Sequence, residues 1–186
     1  MRTKYLILLI FIMSTLIDTQ SQTNRTPKKI LVAYFSHSGN TRVIAQLIKD
    51  ATGGDLYEIQ PQKDYPADYQ TVVNQAKREI NSNYRPVLKT KIRNIESYDI
   101  IFIGSPNWWS TIAPPVATFL TSYQLEGKTI IPFMTHGGGG MGHSVSDIKK
   151  LCPRSVVLEG LPVNGSMVSR AESDVLKWLR EMKIIK

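Results

Sequence analysis

Three hydroxyls and one amide crowd a single short turn of this chain. Ser36, Ser38, Asn40 and Thr41, with His37 and Gly39 between them, follow directly on an apolar run at residues 30–35. Beyond the turn, Val43, Ile44, Leu47, Ile48 and Ala51 recur at a period of about 3.6, which predicts a helix. A helix start has unpaired N–H donors and the positive end of the backbone dipole. Gly39 lets the backbone approach whatever sits there. These residue types suit a phosphate dianion. An ordinary helix cap needs only one of them. The turn has no Lys and no acid, which excludes a Walker-type loop. His37 could touch the phosphate, but the expectation is that it faces solvent and acts through its backbone.

Two further turns carry unusual residues. Ser105, Pro106, Asn107, Trp108 and Trp109 lie in the exit from the apolar run at 98–103. One indole is expected to pack inward and the other to lie flat against a planar ligand. Thr135, His136, Gly137, Gly138, Gly139 and Gly140 lie at the exit from the run at 129–134. Their glycines would let main-chain groups reach the edge of a flat heterocycle. His136 is expected to be a surface residue. Together the turns describe a ligand with a phosphate at one end and a planar ring at the other. Flavin mononucleotide (FMN) fits all three parts. A sugar phosphate would leave the aromatic platform unused, and the Gly-x-Gly-x-x-Gly of a dinucleotide site is absent.

The elements that must position these turns alternate along the chain. Strands are expected at 30–35, 55–60, 98–103, 129–134 and 156–158. Helices are expected to about Ala51, across Tyr69 to Ile80, from Pro114 to Tyr123, to Leu151, and in a final segment carrying Val175, Leu176, Leu179 and Met182. Ser144 with Asp147, and Ser169 with Glu172, read as capping boxes. The runs are continuously apolar rather than alternating, as in a sheet covered on both faces. The fold class is therefore α/β: three layers, a doubly wound five-stranded parallel sheet. Ligands in such sheets sit beyond the carboxyl ends of the strands, where all three turns open.

Composition sets the remaining bounds. The chain has 186 residues, 42% hydrophobic, enough for one ordinary domain at 30–186 after a polar lead-in at 22–29. Arg2 and Lys4 precede an apolar run at 5–17 that is too short to span a bilayer, and a polar stretch follows. That order reads as a signal peptide at 1–21. The protein is then expected to be exported, periplasmic in a bacterium, with no stable membrane span after cleavage; it would be cytoplasmic if the segment were not processed. Net charge is +8, and it falls to +7 when the leader removes two bases and one acid. The basic residues are scattered without interleaved aromatics, which argues against nucleic-acid binding. The single cysteine, Cys152, excludes an intrachain disulfide and reads as a small buried residue. His37, His136 and His143 lack the spacing of a metal site.

On these residues the chain resembles the flavodoxins over roughly 28–184. The turn Ser36 to Thr41 is similar to that family's phosphate loop, and the other two turns look like those of a bacterial flavodoxin-like subgroup. The resemblance implies noncovalent FMN cycling through one- and two-electron steps. It would place Ser36, Ser38, Asn40 and Thr41 on the phosphate, Ser105 to Trp109 beside the ribityl chain and ring, and Thr135 to Gly140 at the ring's polar edge. No residue is assigned a catalytic role. Many electron-carrier flavodoxins are acidic, whereas this chain is basic, and many carry a Tyr where the glycines stand here. Three functions follow: an electron carrier serving an unidentified redox partner, an FMN-dependent reductase of quinones or similar small acceptors, or a module that binds FMN or another phosphorylated ring without turnover.

Overall fold

Residues 31–34 alternate between two cores. Leu31 and Ala33 face one, Val32 and Tyr34 the other, and all four are buried. They form β1 (Ile30–Tyr34) in the computed structural model, which describes residues 28–186. The expected leader at 1–21 lies outside the described residues. Around β1 the chain runs α1 (Asn40–Thr52), β2 (Asp55–Glu58), α2 (Tyr69–Asn81), β3 (Ile100–Trp108), β4 (Thr111–Ile112), α3 (Pro114–Thr121) and β5 (Thr129–His136). It continues through α4 (Ser144–Leu151), β6 (Val156–Val157), β7 (Leu161–Asn164) and α5 (Glu172–Glu181). The strand order is β2-β1-β3-β5-β6, parallel throughout, as expected of a doubly wound sheet.

Each face of the sheet has its own core. Ile44, Ala45 and Ile48 of α1 and Val175 and Leu179 of α5 cover one face, where Trp178 meets Phe102 edge-on at 5.7 Å. Val116, Phe119 and Leu120 of α3 and Ile148 of α4 cover the other, with α2 against α3 and β3. Local signals end the helices as the sequence implies. Gly53 closes α1 in the left-handed conformation and donates its N–H to the Lys49 carbonyl at 2.8 Å. Pro114 and Pro115 occupy the first turn of α3.

Four local readings change. First, β3 does not end at residue 103. Ser105 and Pro106 keep parallel register with Met134 and Thr135, and Asn107 and Trp108 pair antiparallel with β4. The apolar run stops at Ile103, but burial continues through Ser105 and the backbone pairing through Trp108. Second, the fifth position of the sheet holds two short strands. β6 pairs with Thr129 and Ile130, and β7, which the sequence did not signal, pairs with residues 133–136. Third, Ser144 does not cap α4. The cap position is His143, and Asp147 instead accepts from Thr111 at 2.7 Å and pairs with Lys150 at 3.0 Å. Fourth, Ser169 does not cap α5. It lies inside a 3-10 segment, Gly165–Arg170, that runs straight into the helix through Ala171.

One glycine is fixed by packing alone. A Cβ on Gly104 would stand 2.3 Å from the Phe133 ring and 2.8 Å from Tyr34 Cβ, and β1 and β5 flank it on both sides. Gly104→Ala is expected to destabilise the fold by about 3 kcal/mol, read as a lower denaturation midpoint at unchanged slope. Alkaline pH should act in the same direction. Burial pushes the Cys152 thiol from 9.0 up to about 11. Burial, and the Asp55 carboxylate 2.8 Å away, push the Tyr98 hydroxyl up to about 12. Both groups are held neutral in the folded state, so their contribution is complete below the unfolded values and is lost as pH climbs through the folded ones. The denaturation midpoint should therefore fall between pH 9 and 11, and Cys152 should react with thiol reagents only on unfolding.

Candidate functional site

The three turns meet at the carboxyl edge of the sheet. β1 delivers Ser36 to Gly39, with Gly39 left-handed (φ 92°) at the cap position of α1. β3 delivers Pro106 to Ser110, and β5 delivers Thr135 to His143. Between them lies a cleft of about 510 Å³, in the range of small-molecule sites. Ten of the residues singled out in the sequence line it: His37, Ser38, Asn40, Pro106, Asn107, Trp108, Trp109, Thr135, His136 and Gly137. Tyr69, Val72, Val73 and Ala76 of α2, together with Gly165, complete the wall. Nothing in the 3.6-residue pattern of α2 separates residues that face a cleft from residues that face the core. Gly165 follows a strand the sequence did not reveal.

The other residues stand outside the lining. Ser36 borders a neighbouring polar groove, which shares His37 and Ser38 with the cleft. Its hydroxyl is buried and has no hydrogen-bond partner among the described residues. Ser105 is fully buried: its hydroxyl accepts the Ala113 N–H at 2.8 Å and donates to the Pro106 carbonyl. Thr41 is 1% exposed, with its hydroxyl on that of Thr135. Gly39, Gly138, Gly139 and Gly140 are absent from the cleft wall.

Both histidines are held more tightly than their expected solvent positions imply. His37 is half-buried with Nε2 2.8 Å from the Pro66 carbonyl, and its ring meets Trp108 edge-on at 5.9 Å. His136 is half-buried, and its Nδ1 accepts the Gly138 N–H at 3.0 Å. That bond leaves Nε2 as the N–H donor of the neutral ring. In each case a nearby main-chain group captures the imidazole, a contact that sequence spacing does not reveal.

One tryptophan packs inward, as expected, and the other stays at the rim. Trp108 packs inward, edge-on to Tyr65 at 4.9 Å and Phe35 at 5.5 Å. Trp109 stays 49% exposed at the rim. Its indole N–H donates to the Val73 carbonyl at 3.0 Å, and the Lys77 ammonium sits 4.6 Å from its ring centroid. Its backbone is left-handed (φ 52°), as is that of Ser110 (φ 66°). A bulky residue rarely adopts this conformation unless its surroundings impose it. The third turn supplies the constraint. His143 donates its N–H to the Ser110 carbonyl at 2.6 Å, and Asn107 Nδ2 donates to the Gly140 carbonyl at 2.8 Å. Gly142, itself at φ 51°, lies so close to Ser110 that a Cβ would stand 2.2 Å from its carbonyl oxygen.

Gly142→Ala combines that clash with backbone strain and should separate the two turns, at a cost of about 1–3 kcal/mol. Far-UV circular dichroism should be retained while tryptophan emission shifts to the red. The shift should vanish in a Trp109→Phe background. Unchanged emission would mean that this contact does not hold Trp109.

Comparison with known proteins agrees with the geometry. The model of the family described as Flavodoxin matches residues 29–182. No curated protein matches the chain. Among solved structures, a candidate flavoprotein from Bacteroides eggerthii is 38% identical, with 80% of this chain and 98% of that one aligned at a TM-score of 0.68. Another from Bacteroides uniformis is 33% identical over 83% and 99%, at 0.74. A flavoprotein from Lactobacillus acidophilus, solved in complex with FMN, is 26% identical over 77% and 97%, at 0.64. The fold, the three converging turns and a family match over most of the described residues lead to one conclusion: this chain belongs to the flavodoxin family.

Proposed function

We propose that the chain holds one FMN in this cleft without a covalent bond and passes electrons, one or two at a time, to and from a redox partner that meets it at the cleft's mouth. A single observation carries the reading. One cleft joins a hydroxyl-rich turn at a helix start to an apolar and aromatic wall, and no carboxylate lines it. An anion at one end and a flat ring at the other both fit such a wall, and the relative solved with FMN supports that choice of ligand.

The residues present suit the group. The free N–H groups at the start of α1, with Ser38 and Asn40, would hold the phosphate. The buried Ser36 hydroxyl is a donor without an acceptor, and leaving such a group unpaired costs about 1–3 kcal/mol. A phosphate oxygen would relieve that cost. Val72, Val73 and Ala76 would keep water from a flat ring, and Trp108 and Trp109 would set its lateral position. His136 brings an N–H donor to the same wall. FMN, when bound, supplies reversible uptake of one or two electrons. The chain binds, orients and shields it. The apolar N-terminal stretch supports a carrier that works outside the cytoplasm.

The purified full chain is expected to be yellow, or to become so on adding FMN; a chain that takes up no FMN overturns the reading. Ser36→Ala should weaken FMN binding by roughly tenfold or more, as for a lost hydrogen bond to a charged group. Riboflavin, which lacks the phosphate, should bind Ser36→Ala and the unaltered chain alike. The loaded protein alone should oxidise NAD(P)H negligibly, and sustained turnover would instead indicate a reductase.

A further inference from the structure

Thr41 is a phosphate ligand by residue type and place, yet its side chain points elsewhere. It is 1% exposed and is not part of the cleft wall. Its Oγ1 lies 2.8 Å from Oγ1 of Thr135. Thr135 is 4% exposed and does line the cleft. Neither hydroxyl makes a second hydrogen bond among the described residues. Two hydroxyls bring two protons, and the contact between them uses one. Thr41 is enclosed, so only Thr135 can offer the unused proton to a ligand.

We infer that Thr41 is a positioning residue: it donates to Thr135 and thereby turns the Thr135 proton into the cleft, toward the part of the ligand that FMN and riboflavin share. Accepting one hydrogen bond also strengthens a hydroxyl as a donor of the next. Thr135 is in register with Pro106 and precedes His136 on β5, and all three line the cleft. The pair therefore ties the first turn of α1 to the strand that presents the third turn. This inference rests on the FMN reading above.

The test is a double-mutant cycle on the full chain, with dissociation constants for FMN and riboflavin measured by flavin fluorescence. Thr41→Val should weaken both flavins by a similar factor, about fivefold, the scale of one ordinary hydrogen bond. Thr41→Ser, which keeps the hydroxyl, should restore binding to nearly the original value. Thr135→Val should weaken both flavins, and adding Thr41→Val to it should cost nothing more. A loss confined to FMN would make Thr41 a phosphate ligand and overturn the inference. Additive losses, or an unchanged Thr41→Val, would also overturn it. If riboflavin binds too weakly to titrate, the FMN cycle decides alone. Should Thr41→Val not fold, equal flavin affinity in Thr135→Val and the unaltered chain would be enough to reject the inference. A parent chain that binds neither flavin refutes the proposed function instead.

Discussion

β3 and β5 stay paired for three positions beyond Ile103: Gly104 with Phe133, Ser105 with Met134 and Pro106 with Thr135. The ligand edge of the molecule depends on that extension. Had β3 ended with its apolar run at Ile103, the second and third turns would leave the sheet as separate loops. Because pairing continues, Asn107 reaches the Gly140 carbonyl, and Ser110 meets the backbone of Gly142 and His143. The same pairing holds Thr135 level with the first turn of α1, within reach of Thr41. Backbone hydrogen bonds thus carry the order of the two hydrophobic cores out to the cleft.

That order is what allows strained backbone near the cleft. Trp109 and Ser110 both adopt left-handed conformations, which cost non-glycine residues of order 1–3 kcal/mol each. The indole N–H bond to Val73, the Lys77 ammonium over the ring and the His143 bond to Ser110 offset that cost from three directions. Two of these contacts come from α2 and one from the third turn, so the rim position of Trp109 is set by those elements as much as by its own strand. A platform fixed before the ligand arrives loses less conformational freedom on binding.

Charge fits the same picture. The chain carries a formal +8, no carboxylate lines the cleft, and Lys77 makes no ion pair among the described residues. The pairs nearest the hydroxyl-rich turn, Arg42 with Glu58 and Lys89 with Asp64, lie in the neighbouring groove, where they neutralise each other. A ligand bearing a phosphate would therefore meet N–H groups and hydroxyls rather than competing acids.

Much of this was legible in the amino-acid order because it depends on local rules. Continuous apolar runs at 30–35, 98–103 and 129–134 marked buried parallel strands, and periodic ones marked their helices. The clustered hydroxyls at 36–41 marked the start of a helix. Right-handed strand–helix–strand connections then placed all three unusual turns on one edge. What the tertiary structure alone decided was direction: which way each side chain turns, and which neighbour captures it. Ser105 and Thr41 have the chemistry of ligands but spend their hydroxyls on Ala113 and Thr135. Ser144 and Ser169 have the chemistry of caps but sit one step inside a helix and within a 3-10 segment. The α2 wall and Gly165 carry no chemical mark at all. These outcomes depend on groups brought together from distant parts of the chain, and spacing along one segment holds no information about a partner 94 residues away.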